Sequence, residues 1–202
     1  MMCIEFILKK EILTKLKIFA SQNHIPIIND ETAIFLKKII IKNNFQHILE
    51  IGTAIGYSAL IMYNKNFIHT IEKDNALFSL AKSFLHPFES NIKVFLADAL
   101  LYQPQQKYDL IFIDASKTKY IDFFQKYHYF LSFNGIIICD NVNFGNRNFR
   151  LLTRSKKRII KRLNNFKEFL QKNQDFKTHF VNIGDGLSLT WRKDTSPPKA
   201  FF

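Results

Sequence analysis

The sequence predicts an α/β fold: a doubly wound, mainly parallel sheet with one antiparallel strand inserted or added at the end. Three observations carry the prediction. Short β-branched runs alternate with helical patterns, as successive βαβ units require. Acidic residues stand at the ends of the first five runs, the edge where ligands bind open α/β sheets. The last two runs are joined by Gly184-Asp185-Gly186, which reads as a tight hairpin.

In chain order, helical spacing covers residues 5–21 and 30–43, with Pro26 breaking the chain between them. Strands follow at 47–51, 67–72, 92–97, 108–114 and 135–140, short runs bounded by turn residues. Helical stretches at 56–63, 75–85 and 120–131 separate them. A long helix at 148–172 sets Leu152, Ile159, Leu163, Phe166 and Leu170 at helical spacing. Strands at 177–183 and 187–192 close the fold, and the tail 195–202 reads as a frayed end. With no internal repeat and no linker, residues 1–194 read as one domain, a helical cap over 1–45 and a core over 46–194.

Composition narrows the class. A chain of 202 residues, 47% hydrophobic, is long enough to bury a substantial core. No stretch approaches the ~18 consecutive apolar residues of a membrane span. The opening MMCIEFILKK has too short an apolar run for a secretory signal. Cys3 and Cys139 are the only cysteines, so there is no disulfide framework and no four-cysteine zinc site. A cytoplasmic protein with no membrane association is expected. The net charge of +12 hints at a polyanionic partner, although lysine enrichment along the whole chain also raises it.

The chain holds six glycines, and two fall in Leu49-Glu50-Ile51-Gly52-Thr53-Ala54-Ile55-Gly56-Tyr57-Ser58. This reads as a strand, a turn and a helix start, with Gly52 and Gly56 letting the backbone pass close to a ligand. The spacing is neither the dinucleotide fingerprint nor a P-loop. Glu50, just ahead of the turn, suits a ligand that carries an amine. Glu72 ends the second strand, where a carboxylate can accept from both ribose hydroxyls. Asp98 ends the third, placed to meet an adenine amino group, and Asp114 and Asp140 end the fourth and fifth.

The turn from Glu50 to Ser58, together with Glu72 and Asp98, resembles the S-adenosylmethionine site of class I methyltransferases. Ile113-Asp114-Ala115-Ser116-Lys117 and Ile138-Cys139-Asp140-Asn141 resemble the metal-dependent O-methyltransferases of the catechol and caffeoyl-CoA type. The resemblance spans Pro26 to Trp191 and implies a Rossmann-like sheet in the order 3-2-1-4-5-7-6. It implies cofactor contacts from Glu50, Gly52, Thr53, Gly56, Tyr57, Ser58, Glu72, Lys73, Asp98, Ala99 and Asp114. Ile28 joins them from the segment 24–30, which matches the stretch that closes over the cofactor. It also implies a Mg2+ site, open to Mn2+ or Ca2+, held by Asp114, Asp140 and Asn141, a hard oxygen set. Asp114 and Lys117 are the catalytic pair, with Lys117 taking the acceptor's hydroxyl proton. Tyr120 matches a position near the site, though alone it reads as a packed aromatic. Ser116 departs from the family's usual Ala, a small-for-small change. By analogy the two N-terminal helices are interface elements of a homodimer.

Residues 143–172 hold ten Lys/Arg against one acid, Glu168, and five of the chain's six arginines lie between Arg147 and Arg162. Lysine enrichment does not explain an arginine cluster, and guanidinium forks suit phosphate. Arg147, Arg150, Arg154, Lys157, Arg158 and Arg162 are the candidate RNA contacts; a solvated helix face is the plainer reading. The arrangement is similar to a bacterial branch of the family, the tRNA 5-hydroxyuridine methyltransferases, which implies a tRNA anticodon stem-loop as partner. Two other readings stay open: a small catechol or hydroxycinnamoyl acceptor, and a non-catalytic RNA-binding protein on the same scaffold.

Overall fold

The computed structural model describes residues 2–143 and 153–199. Seven strands, β1 (His47–Ile51), β2 (Phe67–Glu72), β3 (Ile92–Leu96), β4 (Tyr108–Ile113), β5 (Leu131–Cys139), β6 (Phe176–Val181) and β7 (Leu187–Arg192), form one sheet. Their order is β3-β2-β1-β4-β5-β7-β6. The first five pair in parallel, and β7 runs antiparallel to both β5 and β6. The predicted antiparallel strand is therefore β7, inserted between its neighbours.

Helices α1 (Met2–Gln22), α2 (Asp30–Asn43), α3 (Tyr57–Met62) and α4 (Asn75–Leu85) pack on one face. Helices α5 (Tyr120–Tyr127) and α6 (Arg154–Gln171) cover the other. Strand alternation sorts the side chains between these two layers. Ile48, Ile68, Leu110, Phe112, Ile136 and Ile138 face α1–α4, whereas Leu49, Ile51, Ile111, Ile113 and Ile137 face α5 and α6. Both layers are apolar, which is why the central strands read as continuous hydrophobic runs. Three of the described helices are opened by side-chain caps: Asn29 Oδ1 accepts from Thr32 N–H at α2, Asp74 Oδ1 accepts from Ala76 and Leu77 at α4, and Thr153 Oγ1 accepts from Lys156 at α6. Among the described residues no helix is long and apolar enough to cross a membrane.

Several boundaries differ from expectation. The helix predicted to reach residue 131 ends at Tyr127, and a 3-10 turn (His128–Phe130) leads directly into β5. That strand starts at Leu131 with a register shift opposite β4, so its first residues escape the alternation that marks the rest. The final connection spans residues 182–186, because Val181 pairs with Leu187. Asn182 Oδ1 accepts from Asn143 Nδ2 (3.0 Å), and Gly184 N–H donates to Glu31 Oε2 (2.9 Å). The hairpin is closed by a turn in which Gly186 N–H donates to Ile183 O at 2.9 Å, and its loop also clasps distant segments. Thr153 caps α6, which begins at Arg154; the predicted start at 148 lies outside the described residues. The tail is docked as far as Lys199: Pro198 is buried, and Lys199 N–H donates to Asn43 Oδ1 (2.9 Å).

Candidate active site

The carboxyl ends of β1, β2, β4 and β5 open into one cavity of about 580 Å3. Its entrance turn depends on Gly52, whose φ of +99° and contact with β4 leave no room for a side chain. A Cβ there would lie 2.1 Å from the Asp114 carbonyl oxygen. Glu72 is 8% exposed and fixed by three backbone donors. Its Oε2 accepts from Ala54 N–H, and its Oε1 accepts from Lys73 and Asp74 N–H, all at 2.9 Å. The carboxylate thus ties the turn after β1 to the loop after β2. Asp98 Oδ1 accepts from Leu100 N–H at 2.7 Å. Thr53, Tyr57, Ser58, Lys73 and Ala99 line the same cavity, and Ile28 walls it from the segment preceding α2.

Two predicted cofactor residues do not line it. Glu50 is fully buried beneath the floor, because position 50 alternates toward the α3 layer. There its Oε2 accepts from the Thr70 hydroxyl at 2.5 Å, with the Ser58 hydroxyl nearby, and Thr70 Oγ1 lies 2.5 Å from Thr53 Oγ1. Glu50 Oε1 has no hydrogen-bond partner. Burial pushes its carboxyl up to about 8; the two hydroxyls oppose the shift, and Asp114 and Glu72 add to it. Gly56, at φ +90°, approaches the Leu85 side chain, where a Cβ would sit 2.7 Å from Cδ1. The close approach at this glycine is to helix α4.

The Glu50 carboxyl binds its proton in the folded state up to about pH 8, but in the unfolded chain only to about 4.5. Wild-type stability should therefore fall as pH rises between those values and level off above them. Glu50→Gln removes the titration, so its melting temperature should exceed wild type by a margin that grows from pH 5 to pH 8. Parallel melting curves across that range check it.

At the other end of the cavity stand Asp114, Asp140, Asn141 and Lys117. Asp140 is 1% exposed; its Oδ1 accepts from Asn141 N–H at 2.6 Å, and its Oδ2 is buried without a partner. Asn141 is held in the left-handed region at φ +57°. Burial and the negative Asp114 raise the Asp140 carboxyl to about 7, and burial raises Asp114 while Lys117 opposes it. Two crowded carboxylates, one with an orphaned oxygen, form a site short of positive charge. Among the described residues no group of three or more His, Cys, Asp or Glu side chains is placed to hold a metal ion. The predicted set therefore rests on two carboxylates and one amide, a donor set that fits a hard cation.

Tyr120 is buried, and its hydroxyl donates to the Asp140 carbonyl oxygen at 2.9 Å. It supports the aspartate's backbone from below. Asp185 and Phe123 also line the cavity and were not anticipated. The Gly-Asp-Gly turn was the available signal for Asp185. Thr70 gave none, being one residue in an apolar strand. The connection carrying Asp185 is seated on the aspartate loop: Val142 N–H donates to Gly186 O, and Asn143 N–H to Asp185 O.

Helix α6 buries Ile160, Leu163, Phe166 and Leu170 and turns Arg154, Lys156, Arg158, Lys161 and Arg162 to solvent, with Lys157 half-buried. Lys167 reaches back to the aspartate loop, donating to Asn143 Oδ1 at 2.6 Å. Arg147 and Arg150 lie outside the described residues.

Comparison with known proteins places this geometry among relatives. Residues 5–193 match the model of a family described as O-methyltransferase. Tapetum-specific methyltransferase 1 of Arabidopsis thaliana is 27% identical over 181 residues, covering 80% of this chain and 76% of that protein. A Staphylococcus aureus structure with the provisional name caffeoyl-CoA O-methyltransferase superposes with a TM-score of 0.83 at 32% identity, covering 89% of this chain and 91% of that one. The Bacillus cereus O-methyltransferase shares the fold, with a TM-score of 0.78 at 19% identity over 91% of each chain.

Proposed function

Because the chain belongs to the O-methyltransferase family, we propose that it moves the methyl group of S-adenosylmethionine to a hydroxyl beside a second oxygen, with 5-hydroxyuridine in a tRNA anticodon as acceptor. The observation that supports methyl transfer is the convergence of Glu72, Asp98, Asp114 and Asp140 on a single cavity. The one that supports RNA is the exposed cationic face of α6, joined to the aspartate loop through Lys167 and Asn143. Phosphate contacts from such a face supply affinity and fix register without reading sequence.

In this reading Glu72 holds the ribose, with its carboxylate already oriented by three backbone donors. Asp98 meets the adenine amino group, and Thr53, Tyr57, Ser58 and Ile28 enclose the remainder. Bound by Asp114, Asp140 and Asn141, a divalent cation such as Mg2+ supplies Lewis acidity that lowers an acceptor hydroxyl's pKa. Lys117 accepts the hydroxyl proton. S-adenosylmethionine supplies the electrophilic methyl group, and the walls of the cavity hold donor and acceptor in line. The adjacent 5-hydroxyl and 4-carbonyl oxygens of the modified uracil match the two-oxygen requirement, and an anticodon base can be splayed into a pocket.

A small aromatic acceptor is the second reading, favoured by the name of the 32% identical Staphylococcus aureus structure. The discriminating assay offers labelled S-adenosylmethionine with tRNA containing 5-hydroxyuridine and, in parallel, a simple catechol. Label in the tRNA that is lost on adding EDTA supports the lead; label in the catechol alone overturns its RNA part. Charge reversal at Arg154 and Arg158 should weaken tRNA binding and flatten its salt dependence while leaving methylation of a free nucleoside unchanged. Filter binding over a range of salt concentrations measures this.

A further inference from the structure

A second cavity, about 420 Å3, lies between α1, α2 and the end of α3. Residues 61–65, which line it, lead into the first residue of β2, so it sits at the opposite edge of the sheet from the candidate active site. Its floor is apolar: Ile40, Ile61, Met62 and Tyr63 are each 6% exposed or less. Its rim carries Phe6 and Ile41, exposed at 70% and 62%. Large apolar side chains facing water around a concave apolar floor mark a place where something apolar binds.

The charge around this cavity is one-sided. Lys9, Lys10, Lys37 and Lys65 line it against a single acid, Glu5. Glu5 is already engaged, since its Oε1 accepts the Tyr63 hydroxyl at 2.5 Å. Lys9 is the innermost cation, half-buried, with its ammonium donating to the Tyr63 carbonyl oxygen. Burial and the neighbouring Lys37 bring its pKa down to about 8, with Glu5 opposing the shift. A cation held in an apolar pocket beside a second cation gains from an anion placed between them.

We propose that this cavity binds an anionic amphiphile, a carboxylate on a medium-length aliphatic chain. The carboxylate sits between Lys9 and Lys37, and the chain lies on Met62, Ile40 and Ile41. A purely apolar occupant does nothing for the excess of lysines over Glu5 around the rim, and a bare inorganic anion leaves the floor wet. Only a ligand with both parts answers both features.

Methionine makes the test local. The chain has three, Met1, Met2 and Met62, so 13C-methyl labelling gives a sparse spectrum in which Met62 reports from the cavity wall. Dodecanoate, titrated below its micellar concentration into the full chain, should shift the Met62 methyl and saturate at one equivalent. The Lys9→Gln, Lys37→Gln double variant should bind it at least tenfold more weakly. Dodecyltrimethylammonium, with the same tail and opposite charge, should leave Met62 unmoved, and inorganic phosphate should do the same. Equal dodecanoate affinity in the double variant overturns the proposal, as does equal binding of the cationic detergent. Absence of any Met62 shift in a chain that sediments as a dimer also overturns it, since a second copy then covers the groove. None of these outcomes depends on the methyl acceptor.

Discussion

Replacing Asp140 with asparagine is expected to abolish methyl transfer while leaving the cofactor bound. The substitution keeps the size of the side chain and an oxygen to accept from Asn141 N–H, so the loop keeps its local bond. It removes the negative charge whose Oδ2 has no protein partner. Folding should not suffer, because a buried carboxylate raised to about 7 costs stability at neutral pH rather than supplying it. Turnover should fall roughly a thousandfold or more, the several kcal/mol that a Lewis-acid cation contributes. S-adenosylmethionine affinity, measured by calorimetry, should stay near wild type, since Glu72, Asp98 and the Gly52 turn are untouched. The reverse pattern, lost cofactor binding with turnover preserved in what still binds, would show that Asp140 belongs to the cofactor and not to a metal.

The largest expected stability effect is at Gly52→Ala. The added Cβ would lie 2.1 Å from the Asp114 carbonyl oxygen and 2.9 Å from its carbon, both main-chain atoms that cannot rotate away. The new residue would also have to hold φ near +99°. Overpacking and left-handed strain together should cost about 4 kcal/mol. For a chain of this size that is a fall of roughly 10 °C in melting temperature, readable by calorimetry. Cofactor affinity should fall too, because parting β1 from β4 moves the turn. Gly56→Ala provides the contrast. It too must hold a left-handed φ, near +90°, but the nearest atoms to its Cβ belong to the mobile Leu85 side chain, so the folded fraction should lose stability yet bind cofactor as wild type does.

Those two glycines show where sequence reading reached and where it stopped. Strands β1 and β2 were legible to the residue, because their apolar runs are bounded by residues that cannot continue them. Helices α2 and α4 have their predicted bounds, read from helical spacing alone, and the structure adds Asn29 and Asp74 as their caps. The acids of the site were legible as a set, since each stands at a strand's carboxyl end. Glu50 lies beneath the cavity floor because side chains alternate along a strand and position 50 shares the face of Ile48, a placement that the sequence motif alone does not reveal. The role of Gly56 depended on Leu85, 29 positions away in the chain, which no local pattern reports. Asp185 reached the cavity only because Asn143 and Val142 anchor its loop, and spacing along the chain carries no trace of those bonds. The start of β5 was hidden by the shift in its pairing with β4.

The clasp between the chain's two ends also orders events during synthesis. The segment walling the cavity at Ile28 continues into α2, whose Glu31 accepts from Gly184 and whose Asn43 accepts from Lys199, across 153 and 156 positions. As the chain emerges from the ribosome, the sheet's parallel half can assemble while both of these partners are still missing. Contacts so distant in sequence form late, after their long loop closure has been compensated elsewhere. The nascent protein should therefore own the parallel half of its sheet before it owns a finished pocket, and pulse-labelled ribosome-bound chains truncated before residue 184 should retain no cofactor.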